Sequence, residues 1–261
     1  RVLFFVATAG TILAVGFLVF IAQGLPSFDQ ITNRQVSQST KIYDREGKVL
    51  LYEISAGEKR TILPLDLIPQ RIKDATIAIE DERFYEEPAF DWKGILRALL
   101  ANIRHGEIRQ GGSTITQQLA RNAFLTPEQT ITRKLRELIL AVQLGRHYSK
   151  NEILALYLNE IPYGPTAYGI EAASQTYFGK PAQELSLGES AVIAALPKAP
   201  TYYSPWGSHQ KELFARQKLI LEKMYSLGKI SESERNQALQ EGIVFTSQGK
   251  GIRAPHFVLA V

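Results

Sequence analysis
A mainly α-helical fold, with one small β element near its N-terminal end and a membrane-spanning segment ahead of it, is what this sequence predicts. Three observations carry that expectation. Residues 2–22, VLFFVATAGTILAVGFLVFIA, contain no charge. Two β-type runs flank the turn residues Asp44-Arg45-Glu46-Gly47 in KIYDREGKVLLYEI. From Ile72 onward apolar residues recur at helical spacing, with polar start signals between the runs. A chain of 261 residues, 45% hydrophobic, has room for one sizeable domain with or without appendages, and 21% charged residues is ordinary for a globular body.

About 20 apolar residues cross the hydrocarbon core of a bilayer, whereas the apolar stretch of a secretory leader usually has about 7–15. Residues 2–22 meet the longer requirement and offer no polar face to water, so residues 1–23 are expected to form a single-pass transmembrane anchor. Only Arg1 precedes the span, and the chain starts without Met, as if mid-sequence; a positive-inside signal would lie further upstream. The long remainder is expected outside the cytoplasm. Polar, turn-rich residues 25–39 and a hairpin at 41–54 make a tether over 24–63. Pro64 and Pro69 then punctuate the entry to a body at 64–245. There the spacing predicts helices starting near Ile72 and Ile95, and at 114–122, 130–144, 150–159, 167–178, 186–196, 210–227 and 231–241. Ser149, Ser186 and Ser231 are start signals, and Ser231 with Glu234 makes a capping box.

The absence of cysteine excludes disulfides and thiolate metal sites. The four histidines, His105, His147, His209 and His256, lack zinc-ligand spacing. A net charge of +4 fits anionic partners such as phosphates or a lipid surface without demanding nucleic acid.

Four stretches could carry chemistry. In AIEDERFYEE, Glu80, Asp81 and Glu82 follow an apolar run directly, where an unpaired carboxylate would be costly to desolvate. In RQGGSTITQQLARN, Gly111-Gly112 permits an unusual backbone and Ser113 can cap the next helix, whose N-terminus would face an anion. Gln117 and Gln118 add neutral donors and acceptors suited to sugar hydroxyls or amides. On pattern alone, an ordinary loop-to-helix junction accounts for this stretch. The lysine of a Walker loop is missing. In TRKLRELILAVQL, Arg133 and Glu137 share a helix face. A solvated ion pair explains that spacing, and a phosphate clamp beside a carboxylate is the sharper reading. In the fourth stretch, residues 150–180, Ile153, Leu154, Tyr157 and Leu158 form a core-facing stripe of scaffold.

In this order the stretches resemble the peptidoglycan glycosyltransferase domain of class A penicillin-binding proteins and their monofunctional relatives. Glu80, Asp81 and Phe84 match the family's Glu-Asp-x-x-Phe, with Asp91 and Gly94 following. Gly111 to Gln118 reproduces its Gly-Gly-Ser-Thr-Ile-Thr-Gln-Gln in full, and Arg133, Lys134 and Glu137 match its Arg-Lys-x-x-Glu. Lys150, Ile153, Leu154, Tyr157, Leu158 and Asn159 supply the next motif, and the run from Ala195 to Pro200 also fits. Two places depart from the family. Glu87-Pro88-Ala89 stands where His-x-Gly is usual, and Arg216-Gln217-Lys218 keeps Arg-Arg-Asn only in part. The ending RAPHFVLAV is similar to the linker that leads to a transpeptidase domain, so residues 246–261 are expected to begin such a linker. That domain's Lys-Thr-Gly motif is absent, and the chain reads as the N-terminal part of a longer protein.

The resemblance implies a lysozyme-like helical fold with a smaller membrane-proximal lobe, and polymerisation of lipid II. Glu80 would take the proton of the attacking sugar hydroxyl, with Glu137 as the second catalytic carboxylate. Arg133 and Lys134 would meet the leaving pyrophosphate. Asp81, Phe84, Ser113, Thr114, Gln117 and Gln118 would line the cleft, and Glu82 would be solvated. The implied partners are lipid II, the growing glycan strand and membrane lipids; cell-wall synthesis proteins are admitted, nucleic acid is not. No cofactor is required, though a divalent cation such as Mg is admitted at Glu137. A lytic enzyme of similar fold and a non-catalytic membrane scaffold are the alternatives.

Overall fold
The structure is a computed structural model, and it describes residues 16, 25, 40–43, 45–46, 50–54, 59–86, 113–126, 128 and 130–247. The expected anchor at 1–23 (Gly16 apart), the helix expected near Ile95, the Glu87-Pro88-Ala89 departure and Gly111-Gly112 lie outside the described residues, as does nearly all of the expected linker. Among the described residues no helix is long and apolar enough to cross a membrane.

β1 (Thr40–Tyr43) and β2 (Leu50–Ile54) pair antiparallel, with Thr40 opposite Ile54 and Ile42 opposite Tyr52. β3 (Lys59–Arg60) precedes a short turn of 3-10 helix, Leu65–Leu67, and then α1 (Gln70–Glu80). After the gap come α2 (Ile115–Phe124), α3 (Ile131–His147) and α4 (Lys150–Glu160). β4 (Ala167–Tyr168), α5 (Ile170–Tyr177), α6 (Leu187–Ala195), α7 (Gln210–Ser226) and α8 (Glu232–Gln240) complete the order. The described part is therefore mainly helical.

Local chemistry explains where the helices begin. Ser149, Ser186 and Ser231 each accept from the backbone N–H three residues on, while Glu152, Glu189 and Glu234 reach back to the capping residue. Each reciprocal pair satisfies two donors that a helix start leaves free. At α2 the cap is Thr114 rather than the expected Ser113: its hydroxyl accepts from the Gln117 N–H at 3.2 Å. The helix expected from residue 167 begins only at Ile170. Ala167 and Tyr168 instead pair in parallel with Lys59 and Arg60. Gly169, at φ 79, separates strand from helix, and a Cβ there would strike the Asn159 backbone. A strand partner so distant in the chain leaves no trace in the local pattern.

The capping boxes yield a test. Hydrogen bonds from the Ser231 backbone and hydroxyl hold the Glu234 carboxyl below its usual 4.5. The contribution is therefore complete above that value and disappears as pH falls through the lower folded one. Ser231→Ala is expected to melt several degrees lower at neutral pH, with the gap from wild type narrowing in acid. Identical melting curves at neutral pH would show that the cap contributes nothing.

The helices pack in two groups around one core. α1 lies against α6 and α7, while α2 lies against α3 and α4. Ile72, Ile77, Leu140, Leu144, Leu154 and Ile220 belong to the same buried cluster. Phe124 and Leu125, at the end of α2, pack partly buried against it. Ahead of α1, the chain is strapped to the end of α4. Arg60 pairs with Glu160 at 2.6 Å, both buried, and its guanidinium lies 5.0 Å from the Tyr168 ring centroid. Asn159 receives the Leu63 N–H and donates to the Leu63 carbonyl, each at 2.8 Å.

Candidate active site
The two helix groups meet where α1 ends, and Glu80 is its last residue. Only 12% of its side chain is exposed, and both oxygens accept hydrogen bonds. The Gln118 amide donates to Oε2 at 2.8 Å, and Arg216 of α7 donates to Oε1 at 3.2 Å. A carboxylate oxygen accepts two hydrogen bonds, so each retains one free acceptor position with respect to these donors. Asp81, the next residue, accepts from the Ile115 N–H at 3.1 Å. That N–H lies in the first turn of α2, where a helix has free donors and partial positive charge. Asp81 thus ties the end of α1 to the start of α2 and brings Gln118 to Glu80.

A second carboxylate lies one helix away. Glu137 of α3 has 1% of its side chain exposed, and Lys134 Nζ donates to its Oε1 at 2.5 Å. Arg133 approaches the other oxygen at 3.7 Å. The reading of this spacing as a solvated ion pair is corrected: the acid is in the interior, beneath two cations. Lys134 also donates to Ser113 Oγ at 2.7 Å and to Gln117 Oε1 at 3.4 Å. With Thr114 as the cap, the Ser113 hydroxyl is left to receive this lysine. The Lys134 side chain remains 41% exposed, while its ammonium is held by Glu137, Ser113 and Gln117.

Most of the expected site residues come together here: Glu80, Gln118, Ser113, Gln117, Lys134, Arg133 and Glu137 form one patch of hydrogen bonds and ion pairs. Gln117 is buried, with its Nε2 unpartnered among the described atoms. Thr114 is a helix cap, Asp81 a helix-to-helix tie, and Phe84 a core ring at 1% exposure with Lys150 Nζ 4.6 Å above it. Glu82 is half exposed and pairs with Lys223 at 3.3 Å. The donor set does not fit the divalent cation admitted at Glu137. Its oxygens face Lys134 and Arg133, and no group of three His, Cys, Asp or Glu side chains suited to a metal exists among the described residues.

Three participants were not expected. Arg216 registered only as a fragment of a partly kept motif, and Tyr157 only as part of an apolar stripe. The Tyr157 hydroxyl donates to Gln118 Oε1 at 3.2 Å. Burial, and then the charge of Glu80, push its pKa well above 10, and the same two causes raise Tyr163. Both therefore stay neutral hydroxyls beside the acid. A helical repeat shows which face the Tyr157 ring occupies, but not where its polar tip ends.

The geometry offers a carboxylate with free acceptor positions beside a fixed cationic surface, a pairing able to accept a proton at one point and meet negative charge at another. A family model described as transglycosylase matches residues 47–225. Penicillin-binding protein 1A of Aquifex aeolicus is 41% identical over 241 residues, covering 91% of this chain and 33% of the relative. Penicillin-binding protein 1A of Haemophilus influenzae is 45% identical over 241 residues, with 92% and 27% covered. Penicillin-binding protein 4 of Bacillus subtilis is 36% identical over 257 residues, with 96% and 40% covered. The chain therefore spans less than half the length of each of these relatives. The crystal structure of the Haemophilus influenzae protein aligns at 29% identity and a TM-score of 0.49, over 87% of this chain and 24% of that one.

Proposed function
The chain belongs to the transglycosylase family, and from that premise we propose that it is a peptidoglycan glycosyltransferase. It polymerises lipid II into β-1,4-linked glycan, with inversion at the anomeric carbon and release of undecaprenyl pyrophosphate. The observation that carries this reading is the separation of tasks in the site: Glu80 with acceptor capacity to spare, and Lys134 held partly exposed above Glu137.

In the reaction, the 4-hydroxyl of the acceptor sugar gives its proton to Glu80 as its oxygen attacks C1 of the donor. The C1–O bond to pyrophosphate breaks on the opposite face, and its electron pair leaves with the phosphate. Lys134 and Arg133 meet the charge that develops there. Glu137 holds these two cations in place, and no step needs a metal. A lytic enzyme releases no pyrophosphate and has no use for the cationic pair, which favours polymerisation. The domain at 64–245 carries the reaction on a lysozyme-like fold with a smaller membrane-proximal lobe, outside the cytoplasm, tethered through 24–63 to an anchor at 1–23.

Incubation with lipid II and, separately, with preformed glycan tests this. Polymer from lipid II is expected. Cleavage of preformed glycan without polymer would establish the lytic alternative, and no turnover of either would favour a scaffold.

A further inference from the structure
We propose that Tyr157 is a positioning residue for Glu80, acting through the side-chain amide of Gln118; this rests on Glu80 being the base. The amide nitrogen of Gln118 points at two groups that can only accept, Glu80 Oε2 at 2.8 Å and the Ser113 carbonyl at 3.4 Å. Its oxygen therefore turns the other way, to the buried hydroxyl of Tyr157 at 3.2 Å. That hydroxyl keeps its proton, since burial and the charge of Glu80 both oppose ionisation, and so remains a donor.

The two oxygens of Glu80 are not held alike. Arg216, on Oε1, is itself fixed by donation from Nε to the Ala195 carbonyl at 3.1 Å and lies 5.8 Å from the Tyr203 ring centroid. Gln118, on Oε2, ends in an amide whose last torsion is soft. Tyr157 closes that freedom from behind. Without its hydroxyl the amide oxygen has lost its buried partner, the amide turns, and the free acceptor position of Oε2 is no longer aimed. A misdirected base slows proton transfer without weakening binding, because Tyr157 lies beneath the surface and touches no substrate.

A double-mutant cycle in the full chain, with lipid II as substrate, tests the relay. Tyr157→Phe keeps the ring and its packing, and is expected to lower kcat about tenfold with KM within about twofold. In a Gln118→Ala background the same change is expected to have no further effect beyond about twofold. An unchanged kcat in Tyr157→Phe, or equal losses in both backgrounds, overturns the proposal, since a purely structural tyrosine would be missed equally whether or not Gln118 is present. Glu80→Gln separates this from the reading beneath it. If that variant is inactive and the cycle additive, only the relay falls; if it polymerises at the wild-type rate, the base assignment falls and the relay with it.

Discussion

Glu80→Gln is expected to lower lipid II polymerisation by at least about a hundredfold, the lower end of what general-base catalysis contributes, while lipid II still binds. The substitution preserves size but not every contact. A carboxylate offers an acceptor to both Gln118 and Arg216, whereas an amide offers one oxygen and turns its NH2 toward the remaining donor. A modest fall in melting temperature should therefore accompany the loss of rate, and lipid II binding and melting must be measured alongside turnover. Glu82→Gln is the matched control, since that acid is half exposed and pairs with Lys223 of α7. Normal polymerisation by Glu80→Gln, or abolition by Glu82→Gln, would move the base to another acid.

Lys134→Met is expected to lower turnover tenfold or more, since about 1.4 kcal/mol of lost transition-state stabilisation is a factor of ten. Sequence alone suggests that folding would hardly notice, as for a surface lysine. The structure changes that expectation, because Lys134 is the nearest cation to a buried carboxylate. Removing one partner of a buried pair costs about 3–5 kcal/mol; with Lys134 partly exposed and Arg133 still nearby, about 1–3 kcal/mol is the scale here. The two effects can be separated. Adding Glu137→Gln removes the stranded charge, so the double variant should recover melting temperature without recovering turnover. Recovery of both together would show that the lysine serves the fold alone.

The helices and their starts were largely legible because they depend on neighbours in sequence. Ser231 and Glu234 lie three apart, and their reciprocal bonds follow from that spacing. The cluster of Glu80, Gln118, Lys134 and Glu137 was legible through family motifs. Physical reading alone left the Arg-Lys-x-x-Glu stretch as a solvated pair, because spacing shows that two residues share a face and not whether that face meets water. Arg216 was legible only as part of a partly kept motif, for a related reason: its contact with Glu80 joins α7 to the end of α1, elements brought together only by packing. Ala167 and Tyr168 went to the wrong element because a two-residue strand has no periodicity of its own and exists by virtue of β3.

The strap ahead of α1 has a mechanical consequence. A pull on the chain from its N-terminal side reaches Arg60 and Leu63 before α1, and passes through Glu160 and Asn159 into the end of α4. Tyr157 stands on that same stretch of helix, with its hydroxyl on Gln118. Close-packed interiors are stiff and hand strain on rather than absorbing it. The mooring of the chain and the aim of the carboxylate thus share one short lever, and tension at one end is felt within a few bonds of the other.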